Sequence, residues 1–197
     1  MTTKRISLYE HDPKVVNQTI QQVQEASDKF GVLKTGTITN AATLDLNLKE
    51  NIQCKIYKLV LYSIMPETDG QVPYLRFSDD NAASYEADAA DYAWDFDGSS
   101  AGTAIDTGDA SDSEIELSGA IGNASGEGCG FEITILNPAG SGTTRFHWIG
   151  HSIDGSGNFA NIAGAGRTLV AGPSTHVRFL FASGAIVSGG YTFIGIG

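Results

Sequence analysis

Phe131-Glu132-Ile133-Thr134-Ile135-Leu136-Asn137-Pro138-Ala139-Gly140 decides the fold, together with Arg145-Phe146-His147-Trp148 and Asp154-Gly155-Ser156-Gly157 just downstream. Successive side chains of a β-strand point to opposite faces, so a half-buried strand alternates apolar and polar residues. Phe131, Ile133 and Ile135 alternate with Glu132 and Thr134, and Phe146 and Trp148 alternate with Arg145 and His147. Asn137-Pro138-Ala139-Gly140 breaks the run between them, and Asp154-Gly155-Ser156-Gly157 has the composition of a hairpin loop. The same grammar extends in both directions. Upstream, Leu44, Leu46 and Leu48 alternate with Asp45 and Asn47. Ile56 to Tyr62 is a nearly continuous strand, Met65 to Gly70 a turn, and Val72 to Phe77 a further strand. Downstream, Val177, Phe179 and Phe181 alternate with Arg178 and Leu180, Ser183-Gly184 begins a turn, and Tyr191 to Ile196 forms a last strand. About ten short strands separated by turns predict an all-β, antiparallel β-sandwich of jelly-roll type, with a single closed barrel as the near alternative.

The composition agrees. The 197 residues include 24 glycines and only 5 prolines, as tight turns between short strands require. The formal net charge is −11, and its distribution is uneven. From Phe77 to Thr144 there is no Lys, Arg or His, while acidic side chains recur from Asp79 through Glu132. Such a surface repels phosphate backbones and argues against a nucleic-acid partner. Residues 79–113 are poorest in strand pattern and are expected to include long exposed loops that project from the body. No apolar run reaches the roughly 20 residues a membrane span needs, and no apolar signal core follows Met1-Thr2-Thr3-Lys4-Arg5, so the protein is expected to stay where it is made until release. Cys54 and Cys129 lie in apolar, strand-like runs and read as two buried free thiols.

The N-terminus follows a different rule. Asp12-Pro13 is a helix start, with Asp as cap and Pro at the first helical position, and Gly31 is a helix stop. Val16, Ile20, Val23 and Phe30 make one narrow apolar stripe. A helix this short is marginal alone, so its stripe needs a surface to cover it. Residues 1–32 are therefore expected to form a helical attachment and assembly segment, with Val16, Ile20, Val23 and Phe30 as assembly residues. Residues 33–197 are expected to form the β domain.

Several pieces of the β domain carry a resemblance. They are Tyr57-Lys58-Leu59-Val60-Leu61 with Met65-Pro66-Glu67-Thr68-Asp69-Gly70, then Tyr74-Leu75-Arg76-Phe77-Ser78-Asp79-Asp80. Gly122-Asn123-Ala124-Ser125-Gly126-Glu127-Gly128 and Phe131 to Pro138 follow, then Val177 to Gly184 and Ser188 to Phe193. In this order and spacing, from about residue 50 to the end, the chain resembles the C-terminal domains of bacteriophage tail-fibre and related virion structural proteins. The resemblance implies a place on the virion surface, an oligomer (a homotrimer for a fibre-like part), other virion proteins as partners, and no catalytic residues.

Candidate sites are weighed against that expectation. Asp95-Phe96-Asp97-Gly98 places two carboxylates before a glycine, with Asp106, Asp109 and Asp112 following. Hard oxygen ligands of this kind suit calcium, although the EF-hand spacing is missing. Apart from calcium no cofactor is expected. Tyr92, Trp94, Asp95 and Asp97 together could hold a host-surface glycan, by aromatic stacking and carboxylate hydrogen bonds; the competing and favoured reading makes the aromatics core and the acids a solvated rim. His147 and His151 lie four apart, roughly 13 Å along a strand, too far to share a zinc ion. No serine nucleophile elbow is present. The leading expectation is a non-enzymatic phage surface protein of a tail fibre or tail tip. A capsid decoration protein and, from a different class, a carbohydrate-active enzyme with two working carboxylates are the alternatives.

Overall fold

The alternating stretches become paired strands, and everything else is arranged around them. The computed structural model describes residues 30–50 and 54–197, in which twelve strands form two antiparallel sheets and there is no helix. In chain order they are β1 (Phe30–Ala41), β2 (Thr43–Asn47), β3 (Ile56–Pro66), β4 (Pro73–Ser78), β5 (Tyr92–Ser100) and β6 (Thr103–Asp112). There follow β7 (Ile115–Glu116), β8 (Gly128–Leu136), β9 (Arg145–Ile153), β10 (Phe159–Thr168), β11 (His176–Phe181) and β12 (Ile186–Ile196). One sheet has eight strands in the order β1-β12-β3-β8-β9-β10-β5-β6, and the other has four in the order β2-β11-β4-β7. The chain visits the smaller sheet four times, one strand at a time, and returns to the larger sheet after each visit.

The two sheets face each other across one apolar core. Phe131, Ile133 and Ile135 of β8 and Val177, Phe179 and Phe181 of β11 all point into it, as their alternation requires. The Phe77 ring of β4 lies 5.3 Å from that of Phe146 on β9, and the Phe77 backbone N–H donates to the Tyr92 hydroxyl at 2.8 Å. Trp148 is buried with its indole N–H donating to the Leu117 carbonyl at 2.9 Å, so its one polar atom is satisfied. Gly164 and Gly166 on β10 make room for these rings. A Cβ at Gly164 would stand 2.3 Å from the Trp148 ring, and one at Gly166 would stand 2.6 Å from the Phe146 ring. The run Ala163-Gly164-Ala165-Gly166 is thus a strand whose inner face is given up to its neighbours' aromatics.

The turns follow their sequence signals. Between β9 and β10 the Asp154 carboxylate accepts the N–H groups of Ser156 and Asn158, and Gly157 N–H donates to the Asp154 carbonyl. Between β8 and β9 Gly140 N–H donates to the Asn137 carbonyl at 3.0 Å. Cys54 and Cys129 are both free and buried, and burial pushes both thiols up from their ordinary pKa.

Two expectations need correction. The β domain begins at Phe30, not at residue 33. Phe30 and Gly31 are strand residues paired with Ile196 and Gly195 of β12, so Gly31 does not stop a helix. Their partner lies at the other end of the chain, and no local signal announces it. The remainder of the Asp12–Gly31 helix, with Val16, Ile20 and Val23, lies outside the described residues. The second correction concerns residues 79–113. They are not chiefly loops, because Tyr92–Ser100 and Thr103–Asp112 are β5 and β6, a hairpin at the edge of the large sheet. Only the connection before it is irregular, and it folds back on the body: Glu86 N–H donates to the Phe77 carbonyl, and Asn81 N–H to the Thr175 hydroxyl.

Candidate ligand-binding face

The outer face of the eight-stranded sheet is built from the alternate residues that the core does not use. The strand registers align them in cross-strand rows. In one row Lys58, Thr134, His147, Ala165 and Asp95 follow one another across β3, β8, β9, β10 and β5. In the neighbouring row Leu136, Arg145, Arg167 and Ala93 do the same across β8, β9, β10 and β5. The small Ala165 and Ala93 lie among the taller Leu136, Arg145, His147 and Arg167, and together with part of β6 they line an open trough of about 750 Å³. Its far margin is β6, where the ladder shifts register between Tyr92 and Trp94 opposite Asp112 and Asp109. One extra residue on β6 there bulges the strand, and Asp109 and Ala110 line the trough's rim.

The charge in this trough is polarised. Arg145 and Arg167 are directly opposite each other, which places their backbones roughly 5 Å apart. Like charges so placed repel. Both are exposed, and among the described residues neither forms an ion pair: the ion pairs there are Lys58–Glu132, Arg76–Glu114 and Arg178–Asp45. Asp95 and Asp109 stand on the other side.

Further along the same face lies an apolar patch. Ile149 is 57% exposed and Phe159 is 56% exposed, with the His151 ring stacked on Phe159 at 5.8 Å. A second, shallower depression of about 400 Å³ lies among Val60, Gly130, Glu132, Ile149 and His151.

The smaller sheet's outer face is different in kind. Arg178 of β11 makes a two-pronged ion pair with Asp45 of β2, both contacts at 2.7 Å, and lies 3.7 Å over the Tyr85 ring. Arg76 of β4 is held by Glu114 at 2.8 Å. Tyr85 belongs to the 79–91 connection, which therefore covers part of this face. In that connection Glu86 is half-buried near Asp79 and Asp91. Burial first, and then those two charges, push its carboxyl up to about 7.

The residues predicted from sequence are divided by the pleat. Tyr92 is 0% exposed and Trp94 is 7% exposed. Tyr92 has its hydroxyl spent on Phe77 and on the Glu86 carbonyl. Asp95 and Asp97 point outward and are exposed. Stacking of a glycan on Tyr92 and Trp94 is therefore corrected: period-two alternation places the rings in the core and the carboxylates on the opposite face. The carboxylates considered for calcium lie on strands β5 and β6, and Asp97 faces Asp106 directly. Among the described residues no group of three or more His, Cys, Asp or Glu side chains is gathered as a metal site would need. His147 and His151 lie on the outer face of β9, both exposed. Sequence reasoning missed Arg145 and Arg167. The signal available was that Arg145 is the first cation after the long acidic stretch, but their juxtaposition depends on the β9–β10 register. No family model, curated protein or solved structure matches this chain.

Proposed function

We propose that this chain is a non-enzymatic structural protein of a bacteriophage surface, part of a tail fibre or tail tip, whose jelly-roll-like body meets the host. The observation that carries this reading is the open outer face of the large sheet. Strands β9 and β10 are interior to that sheet, yet they present exposed Ile149, Phe159, Arg145 and Arg167 on a surface that no other described element covers. A domain that served only as a spacer would have no use for such a face. An exposed apolar patch beside a cation pair with no carboxylate partner among the described residues is the composition of a surface that binds something. The resemblance to phage virion domains supports the same reading, since its pieces fall on β3, β4, β8, β11 and β12, the framework behind the face. Carried in several copies, as in the proposed homotrimer, weak sites gain strength through effective concentration.

The test is to label the protein on intact particles and image the label. Density at the tail is the expected result. Density over the shell would replace the tail reading with capsid decoration. Incubation of the purified protein with host polysaccharide is expected to release no reducing ends, and their release would move the protein into the carbohydrate-active enzymes.

A further inference from the structure

We propose that the trough over β9, β10, β5 and β6 is a binding site for an acidic saccharide unit, whose carboxylate is held between Arg145 and Arg167. This deepens the host-contact reading and rests on it for the source of the ligand, but not for the chemistry of the site.

Two pairs of arginines stand directly opposite each other across neighbouring strands, Arg178 with Arg76 and Arg167 with Arg145. In the first pair each guanidinium has its own carboxylate, Asp45 or Glu114. In the second neither has one among the described residues, although the chain holds 23 acidic residues and only 12 basic ones. Among the described residues, acidic side chains outnumber basic ones, and still none is paired with Arg145 or Arg167. Both arginines line the depression, and each guanidinium offers a planar fork of N–H donors that a carboxylate fits.

The rest of the trough selects the ligand class. Its floor at Ala165 is flat and small, so a ring can lie close to the sheet. Asp95 and Asp109 on the opposite side repel a second anionic group and accept hydrogen bonds from hydroxyls. From β10 to β6 is two strand spacings, about 10 Å, enough to seat a sugar ring with its acid toward the arginines and its hydroxyls toward the aspartates. His147, beside Arg145 on the same strand face, offers one more polar contact. A peptide adding itself as a strand would take the free edge of β6 at the end of the sheet and not the trough, because β9, β10 and β5 have strand partners on both sides.

The experiment titrates full-length protein with oligogalacturonate and with N-acetylneuraminyl-lactose. The carboxyl-reduced forms, a neutral maltotetraose and the dipeptide Ala-Ala serve as comparisons. Binding is read by calorimetry and by the NMR shift of the Trp94 indole N–H. The expected result is that at least one acidic saccharide binds, and that its reduced form and the neutral sugar bind at least tenfold more weakly. Arg145→Gln combined with Arg167→Gln is expected to weaken binding at least tenfold, and Ala165→Trp to abolish it by filling the trough, both with unchanged far-UV spectra. The proposal is overturned if no acidic saccharide binds at millimolar concentration, if neither variant alters binding, or if Ala-Ala binds as well as the sugars. Particle labelling keeps the two ideas separable. Label on the particle without saccharide binding removes only the trough, and saccharide binding by a protein not found on the particle removes only the phage-surface reading.

Discussion

On the small sheet Arg178 faces Arg76 across β11 and β4, and on the large sheet Arg167 faces Arg145 across β10 and β9. The local arrangement is the same and the surroundings are opposite. Asp45 and Glu114 flank the first pair, and the Tyr85 ring lies over Arg178. The second pair opens onto a trough. The difference teaches that an unfavourable cross-strand pair is either neutralised from within, where it becomes part of the folded body, or left charged, where it is available to something outside.

The contrast can be broken most strongly on the small sheet. Arg178→Ala removes a two-pronged ion pair and the cover on Tyr85, and should cost about 2 kcal/mol of stability in urea denaturation, with Arg178→Lys intermediate. A loss below a few tenths of a kcal/mol would mean that the pair contributes nothing to folding. The connection bearing Tyr85 also bears Glu86, whose folded carboxyl is raised to about 7 from an ordinary value of 4.5. A raised carboxyl favours the folded state while it is protonated. Its contribution is therefore complete below about pH 4.5 and is lost as pH rises to about 7 and beyond. Glu86→Gln should match the parent near pH 4.5 and exceed it by about 1–2 kcal/mol at pH 8, as measured by melting across that range. A constant difference at all pH values would remove Glu86 as the cause.

Smaller effects sharpen the other half of the comparison. Arg145→Gln or Arg167→Gln should leave stability unchanged or raise it by up to about 0.5 kcal/mol, since each relieves a like-charge pair. A loss of more than 1 kcal/mol would show a structural partner for that arginine. Asp97→Asn should raise stability by a few tenths of a kcal/mol by relieving the opposition to Asp106. Stabilisation of the parent, but not of Asp97→Asn, by added calcium would instead show that an ion bridges the two carboxylates.

Where the core imposes alternation, the sequence is a sufficient guide. Phe131-Glu132-Ile133-Thr134-Ile135 and Val177-Arg178-Phe179 read correctly because one side of each strand faces only apolar neighbours. Tyr92-Ala93-Trp94-Asp95-Phe96-Asp97 carries the same alternation, and its rings belong to the core as that alternation requires, although aromatics among carboxylates also have the composition of a sugar site. β6 was not legible at all. Thr103 to Asp112 buries no side chain fully and is held by its ladder to β5, so packing selects no pattern there. The trough depends on which residues of β9 and β10 stand opposite each other, a property of register that neither strand carries alone. Only the first three residues of β1 escape the sequence pattern, because their partners at the end of β12 are more than 150 residues away along the chain.

The pairing of Phe30 with Ile196 also sets how the body would respond to mechanical load. Pulled apart at those two residues, β1 and β12 would open from one end like a zipper, each hydrogen bond bearing the force in turn, so little tension would be needed. If the pull instead enters at Phe30 and leaves through the trough, it crosses the sheet from β1 to β10, transverse to the strands and through five successive ladders. The β1–β12 ladder is the first of these and would yield before the aromatic-packed middle. A tether at that end would therefore protect the binding face by peeling away at its own edge strand first.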